Sequence, residues 1–155
     1  MKASRRALLG ALAGVGGTVA LSMLRQVSTH ADLVSETAPE QVVERARELG
    51  LLEGVGKGGE TLLTLAAHYG YGAVSGAVFG LLRRESGTLY EEMSTGTALG
   101  VLAWGAGWAV WLPLTGVHSS PWSQKNPRVL LPIVDHAAFG AAWGFVYRSL
   151  LGRDG

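Results

Sequence analysis

Three ionisable side chains stand inside or at the rim of long apolar stretches: His68, Asp135 and His136. Charge in a hydrocarbon environment is costly, so residues of this kind mark a polar site by default. Imidazole titrates near neutral pH, and a neighbouring carboxylate favours its charged form, so the three could together respond to or pass a proton. Histidines on facing helices can also present imidazoles to a metal or haem. Two histidines and one aspartate, with only His118 as a further candidate ligand, fall short of such a set. No metal and no cofactor is expected. The bland alternative is that each His hydrogen-bonds a neighbouring helix while Asp135 stays hydrated near a surface.

Other chemistry finds little support. The chain has no cysteine, which excludes thiolate catalysis, disulfides and Cys-ligated metal. Ser75, Ser119, Ser120 and Ser123 lack a G-x-S-x-G setting. The run Gly54-Val55-Gly56-Lys57-Gly58-Gly59 is glycine-rich without P-loop spacing and reads as a flexible joint. No catalytic residue is assigned, and an enzyme is not expected. A net charge of +1 gives no reason to expect nucleic acid.

The elements that must hold the three residues are apolar and long. Ala7–Leu24, Thr61–Leu82 and Met93–Gln124 carry no charge, and a run of about 18 or more such residues can cross a hydrocarbon core of about 30 Å. A fourth run, 129–151, is interrupted by Asp135 and Arg148. Membrane helices are therefore expected at about 7–24, 61–82, 93–112 and 129–151, in a single domain spanning 1–155. Many of the 23 glycines fall inside these runs, where they would weaken a water-soluble helix but let membrane helices approach closely. Met1–Arg6 followed by Ala7–Leu24 has the layout of a signal peptide, yet no small-x-small cleavage site follows Leu24, so a retained first helix is expected.

A polar loop, 25–60, separates the first two runs and holds one short amphipathic helix. Thr37 and Glu40 have capping-box spacing, Pro39 suits the first turn, and Gly50 suits the C-terminal cap. Arg5-Arg6 and Arg83-Arg84 abut helix ends on the side opposite this acid-rich loop, which favours a cytoplasmic N-terminus.

The second and fourth runs repeat one pattern. His68-x-x-Tyr71-Gly72-Ala73-x-x-Gly76-x-Val78-Phe79 matches His136-x-x-Phe139-Gly140-Ala141-x-x-Gly144-x-Val146-Tyr147 in residue type at identical spacing. The first and third runs echo each other more faintly, pairing Gly10 with Gly100 and Gly17 with Gly107. The expected fold is thus all-α: an integral membrane four-helix bundle built from two tandem helical hairpins, with the short amphipathic helix between the first two membrane helices. Gly72, Gly76, Gly140 and Gly144 are the expected helix-packing positions, with the two His-aromatic-Gly stripes facing each other. Trp104, Trp108 and Trp111 share another stripe, at the spacing of an ordinary α-helical face.

Several short motifs resemble the YagU family of bacterial inner-membrane proteins, a group of unknown function. They are Ala38-Pro39-Glu40-Gln41-Val42-Val43-Glu44-Arg45-Ala46, His68-Tyr69-Gly70-Tyr71-Gly72, the stretch from Leu102-Ala103-Trp104 to Leu114, Pro121, Asn126-Pro127 and Asp135-His136. The resemblance implies a small helical protein of the bacterial inner membrane and carries no catalytic residues with it. Two functional expectations follow. The first is a non-enzymatic protein acting through helix contacts, with membrane lipid around it and a homo-oligomer or other membrane subunits as partners. The second is a proton-linked or small-solute transport protein using His68, Asp135 and His136.

Overall fold

A computed structural model describes residues 1–30, 38–83, 87–123 and 131–152. The described residues are helical, with no strand among them. In chain order the elements are α1 (Ala3–His30), α2 (Ala38–Glu48), α3 (Lys57–Leu82), α4 (Leu89–Trp104), a π-helical segment (Gly105–Trp111), α5 (Leu112–Leu114), a 3₁₀ turn (Pro121–Ser123) and α6 (Leu131–Leu151). Three stretches are long and apolar enough to cross a membrane: Ala3–Gln26, Lys57–Leu82 and Leu89–Leu114. The protein is accordingly a helical protein with three candidate membrane-spanning helices. α6, with Asp135, His136 and Arg148 in its sequence, is not among them.

Several boundaries differ from the sequence expectation. α1 runs its helix past Leu24 to His30, so Arg25 is a helical residue and not the start of a loop. Nothing in Arg25-Gln26-Val27 breaks a helix, and at about 1.5 Å per residue α1 outlasts the hydrocarbon core. α3 likewise begins at Lys57, absorbing the second half of the glycine-rich joint. α4 begins at Leu89 because Thr88 builds a capping box. Its backbone N–H donates to Glu91 Oε2 at 2.7 Å, and its hydroxyl accepts from the Glu91 backbone N–H at 3.3 Å. α2 ends as expected at Gly50, whose φ of +73° allows the Gly50 N–H to reach Arg47 C=O and the Leu51 N–H to reach Ala46 C=O. The Thr37 cap and the Asn126-Pro127 motif lie outside the described residues.

Two glycine seams organise the packing. α1 lies against α3 and α4 against α6, and the two pairs meet where α1 touches α6. In the first seam Gly10 and Gly14 of α1 abut Gly72, Gly76 and Gly80 of α3; in the second, Gly96 and Gly100 of α4 abut Gly140 and Gly144 of α6. A Cβ on Gly76 would stand 2.7 Å from Gly14 Cα, closer than any real packing allows.

The two His-aromatic-Gly stripes therefore do not face each other. Each is matched to a glycine stripe on the helix paired with it, because backbone-to-backbone approach needs small residues from both partners. α3 and α6 communicate through large side chains instead: Phe79 meets Tyr147 edge-on at 5.3 Å between centroids and Trp143 at 6.1 Å. With Ala13, Leu21 and Phe139 these form the buried core. The register of the fainter echo also shifts. Gly14 and Thr18 pack on Gly72 as Gly96 and Gly100 pack on Gly140, so Gly100 occupies the place of Thr18, about two helical turns from the Gly10 that the sequence echo paired with it.

Candidate functional site

At one end of the helices, residues from α1, α2, α3, the π-helical segment, α5 and α6 enclose a cavity of about 250 Å³. Arg25, His68, Tyr71, Trp108, His136 and Phe139 are among its lining residues. α1 supplies the cavity's hydrogen-bond ladder. Thr18 Oγ1 donates to Gly14 C=O at 2.9 Å, and Ser22 Oγ donates to Thr18 C=O at 2.8 Å. Ser22 Oγ stands 3.1 Å from His68 Nε2 on the neighbouring helix. The single Ser22 proton is committed to Thr18, so His68 Nε2 must be the donor in that contact. The neutral His68 ring then keeps Nδ1 as its acceptor.

His136 is fixed the other way round. Its Nδ1 lies 2.8 Å from the Pro132 carbonyl, which can only accept, so Nδ1 carries a proton and Nε2 is the acceptor of the neutral ring. The contact spans four residues within the first turns of α6, where the second lone pair of the Pro132 carbonyl can take the imidazole proton. The two imidazoles thus line one cavity with opposite tautomers and one acceptor nitrogen each.

Asp135 plays a different part from the histidines. It is buried, and its Oδ2 lies 3.6 Å from Arg25 Nε. It does not line the cavity; Arg25 does. The carboxylate therefore holds a guanidinium that the helical extension of α1 brings to the site, an ion pair rather than a hydrogen bond at this distance. Of the three residues singled out by sequence, two line the cavity and the third stands behind Arg25. Arg25 itself escapes a reading that ends the first helix at Leu24. The signal was present in Gly14, Thr18, Ser22 and Arg25, which continue a single helical face.

The wall opposite α1 owes its shape to the π-helical segment. The Leu112 N–H donates to Gly107 C=O, five residues back, and Pro113 follows with no N–H to give. Wider turns of this kind recur at functional sites. Here the widening divides the tryptophan stripe. Trp104 turns to Trp122, with ring centroids 6.3 Å apart, while Trp108 and Trp111 line the cavity. His118 stacks on Trp108 at 4.3 Å and donates through Nδ1–H to the Ser119 C=O at 2.7 Å, outside the cavity lining. Among the described residues the buried Trp108 Nε1–H has no hydrogen-bond partner. Gly105, Gly107 and Pro113 were the sequence signals for this departure from α geometry.

α2 covers the open end. Ala38, Pro39 and Val42 line the cavity, and the helix is tied to α3 by Arg47, whose Nε donates to Glu60 Oε1 at 2.7 Å and whose Nη2 pairs with Glu60 Oε2. At the other end of the helices a second charged pair joins the end of α3 to α4. Glu92 is fully buried, accepts from the Gly87 N–H at 2.7 Å and pairs with Arg83 Nε at 2.9 Å. Among the described residues, no three His, Asp or Glu side chains gather as a metal site.

Comparisons of this chain with protein-family models, with curated proteins and with solved structures find no match.

Proposed function

We propose that the chain is a multi-pass protein of the bacterial inner membrane, N-terminus cytoplasmic, that takes up a small solute in the cavity lined by Arg25, His68 and His136, with protons on the two imidazoles setting the state of that site. The observation that carries this reading is the convergence of α1, α3 and α6 on one cavity, each bringing a polar or ionisable side chain. The glycine seams weaken the competing idea of glycine-driven self-assembly. Gly72, Gly76, Gly140 and Gly144 are covered by α1 and α4 of the same chain and are not free to meet a second copy.

The reading makes α6 a fourth crossing, completing a four-helix bundle of two tandem hairpins with α2 on its outer end. α6 packs against both α1 and α4, each part of a candidate span, which supports a fourth crossing beside them. Its polar residues suit that placement. Asp135 and His136 stand near one end and Arg148 near the other, and Asp135 is paired with Arg25.

Proton flux into liposomes under a pH gradient tests the reading. Wild type should exceed His68→Ala and His136→Ala, and an identical passive leak in all three would sink it. A second reading, an accessory subunit acting through lateral helix contacts, draws on the uncovered flanks of the spans, since only 17% to 33% of each is buried within the chain. Leu62, Leu65, Val74 and Val78 on α3 belong to such a flank. Native mass spectrometry in mild detergent distinguishes lipid from protein there: a strictly monomeric particle without partners leaves lipid as the neighbour.

A further inference from the structure

The geometry points to a hydroxylated aromatic ring, of the phenol or hydroquinone type and entering from the bilayer, as the occupant of the cavity. This rests on the proposed role of the cavity as the solute site, and three features of the cavity select the ligand within that role.

The first is shape and size. The cavity is walled by Leu21, Val42, Leu112 and Phe139 together with the indole of Trp108. An apolar cavity of about 150 Å³ accepts benzene. At about 250 Å³ this one has room for a single substituted ring and the start of a tail. Flat aromatic walls favour a ring over a coiled acyl chain, because ring pairs gain from edge and offset contacts beyond simple burial.

The second is the hydrogen-bond inventory. Trp108 Nε1–H is buried with no acceptor among the described residues. Neutral His68 and His136, by the tautomers derived above, offer an acceptor nitrogen each. The Arg25 guanidinium also lines the cavity and brings N–H donors, so the complement to donors from Arg25 and the indole and to two nitrogen acceptors is a group that both donates and accepts. A ring hydroxyl does this: its O–H donates to an imidazole nitrogen while its oxygen accepts from the indole. A quinone carbonyl can accept from the indole or from Arg25 but leaves the imidazoles unmatched, and an alkane tail satisfies neither.

The third is the way in. Ala67, Tyr71 and Trp111 line the cavity and are exposed, and they belong to α3 and to the π-helical continuation of α4. These two elements scarcely touch, and the Tyr71 hydroxyl, donating to Ala103 C=O at 3.2 Å, spans the gap between them. A mouth between two spans opens toward lipid, where apolar ring compounds dissolve.

The test uses the full-length protein in nanodiscs and isothermal titration calorimetry, with empty nanodiscs subtracted. The probes are a short-tailed para-hydroquinone, the matching quinone and n-decanol. The hydroquinone should bind saturably and about tenfold more tightly than the quinone, the size of effect that one unmatched buried hydrogen-bonding group produces. Trp108→Phe, which keeps a ring and removes the donor, should weaken hydroquinone binding by a similar factor. Ala67→Phe, placed at the exposed mouth where the fold bears no load on it, should abolish binding with the melting temperature unchanged. Saturable binding that survives Ala67→Phe, equal binding of n-decanol, or no saturable binding would each overturn the proposal. The two readings fail separately. Flux that depends on His68 and His136 without ring binding removes the ring and keeps the solute site. Ring binding with flux indifferent to both histidines removes the proton linkage and keeps the ring.

Discussion

Replacing Gly76 by alanine probes the seam on which the arrangement of α1 and α3 depends. The added Cβ would meet Gly14 Cα and Gly14 N at 2.7 Å and come closer still to the Gly10 carbonyl oxygen. All three obstacles are backbone, so no side chain can rotate away. Restoring ordinary contact, which begins at 3.4 Å, requires the helices to part by about 0.7 Å for Gly14 and by more for the Gly10 oxygen. A gap of that order forfeits roughly a quarter to a half of the dispersion attraction between facing atoms. Overpacking of this kind costs about 1–3 kcal/mol. Gly70 lies on the same helix with nothing within 4 Å of its prospective Cβ, and Gly70→Ala should be neutral or stabilising by up to about 1 kcal/mol through helix propensity. Equilibrium unfolding in mixed micelles, monitored by circular dichroism, measures both. We expect Gly76→Ala to be less stable than Gly70→Ala by about 2 kcal/mol. A difference under about 0.5 kcal/mol, the usual scatter of surface substitutions, would refute the close seam.

The buried charges make a second set of outcomes. Asp135→Ala removes the carboxylate that α6 sets against the Arg25 guanidinium and should cost about 3 kcal/mol, whereas Arg25→Met with Asp135→Leu, which removes both charges of that pair, should recover most of that loss in the same unfolding assay. Recovery failing to appear would mean that the pair is not what binds α1 to α6. Thr88→Ala removes the cap of α4 and should cost about 1 kcal/mol, with Thr88→Ser close to wild type; equal losses in the two would contradict the capping box.

Where the sequence was legible, it was legible through periodicity and cost. Charge-free runs identified the stretches that became α1, α3 and α4 with its continuation, since few other structures tolerate so many apolar residues in a row. The glycine spacing showed which faces pack closely, and Gly72, Gly76, Gly140 and Gly144 do sit against neighbouring backbones. It did not show against what. A stripe of small residues is complementary to any other such stripe, and the chain holds four, so the choice between α1 and α6 as the partner of α3 lies in tertiary packing of Phe79, Trp143 and Tyr147.

The candidate site was legible in its most expensive residues, His68, Asp135 and His136, and illegible in Arg25. Hydropathy ends a segment at the first charge, whereas the backbone hydrogen bonds of α1 have no reason to end there. The π-helical turn was hidden for a similar reason. Trp104, Trp108 and Trp111 fit an α-helical stripe, and only hydrogen bonding five residues back sends Trp104 away from the other two.

The claim on which the account turns is that His68 and His136 serve one shared site, and a double-mutant cycle on liposome proton flux tests it most directly. If both imidazoles act on a single cavity, His68→Ala and His136→Ala each lower the flux and the double variant falls no further than the worse single one, because the first loss already disables the site. Four identical rates, or a double variant whose loss is the product of the two single losses, would contradict it.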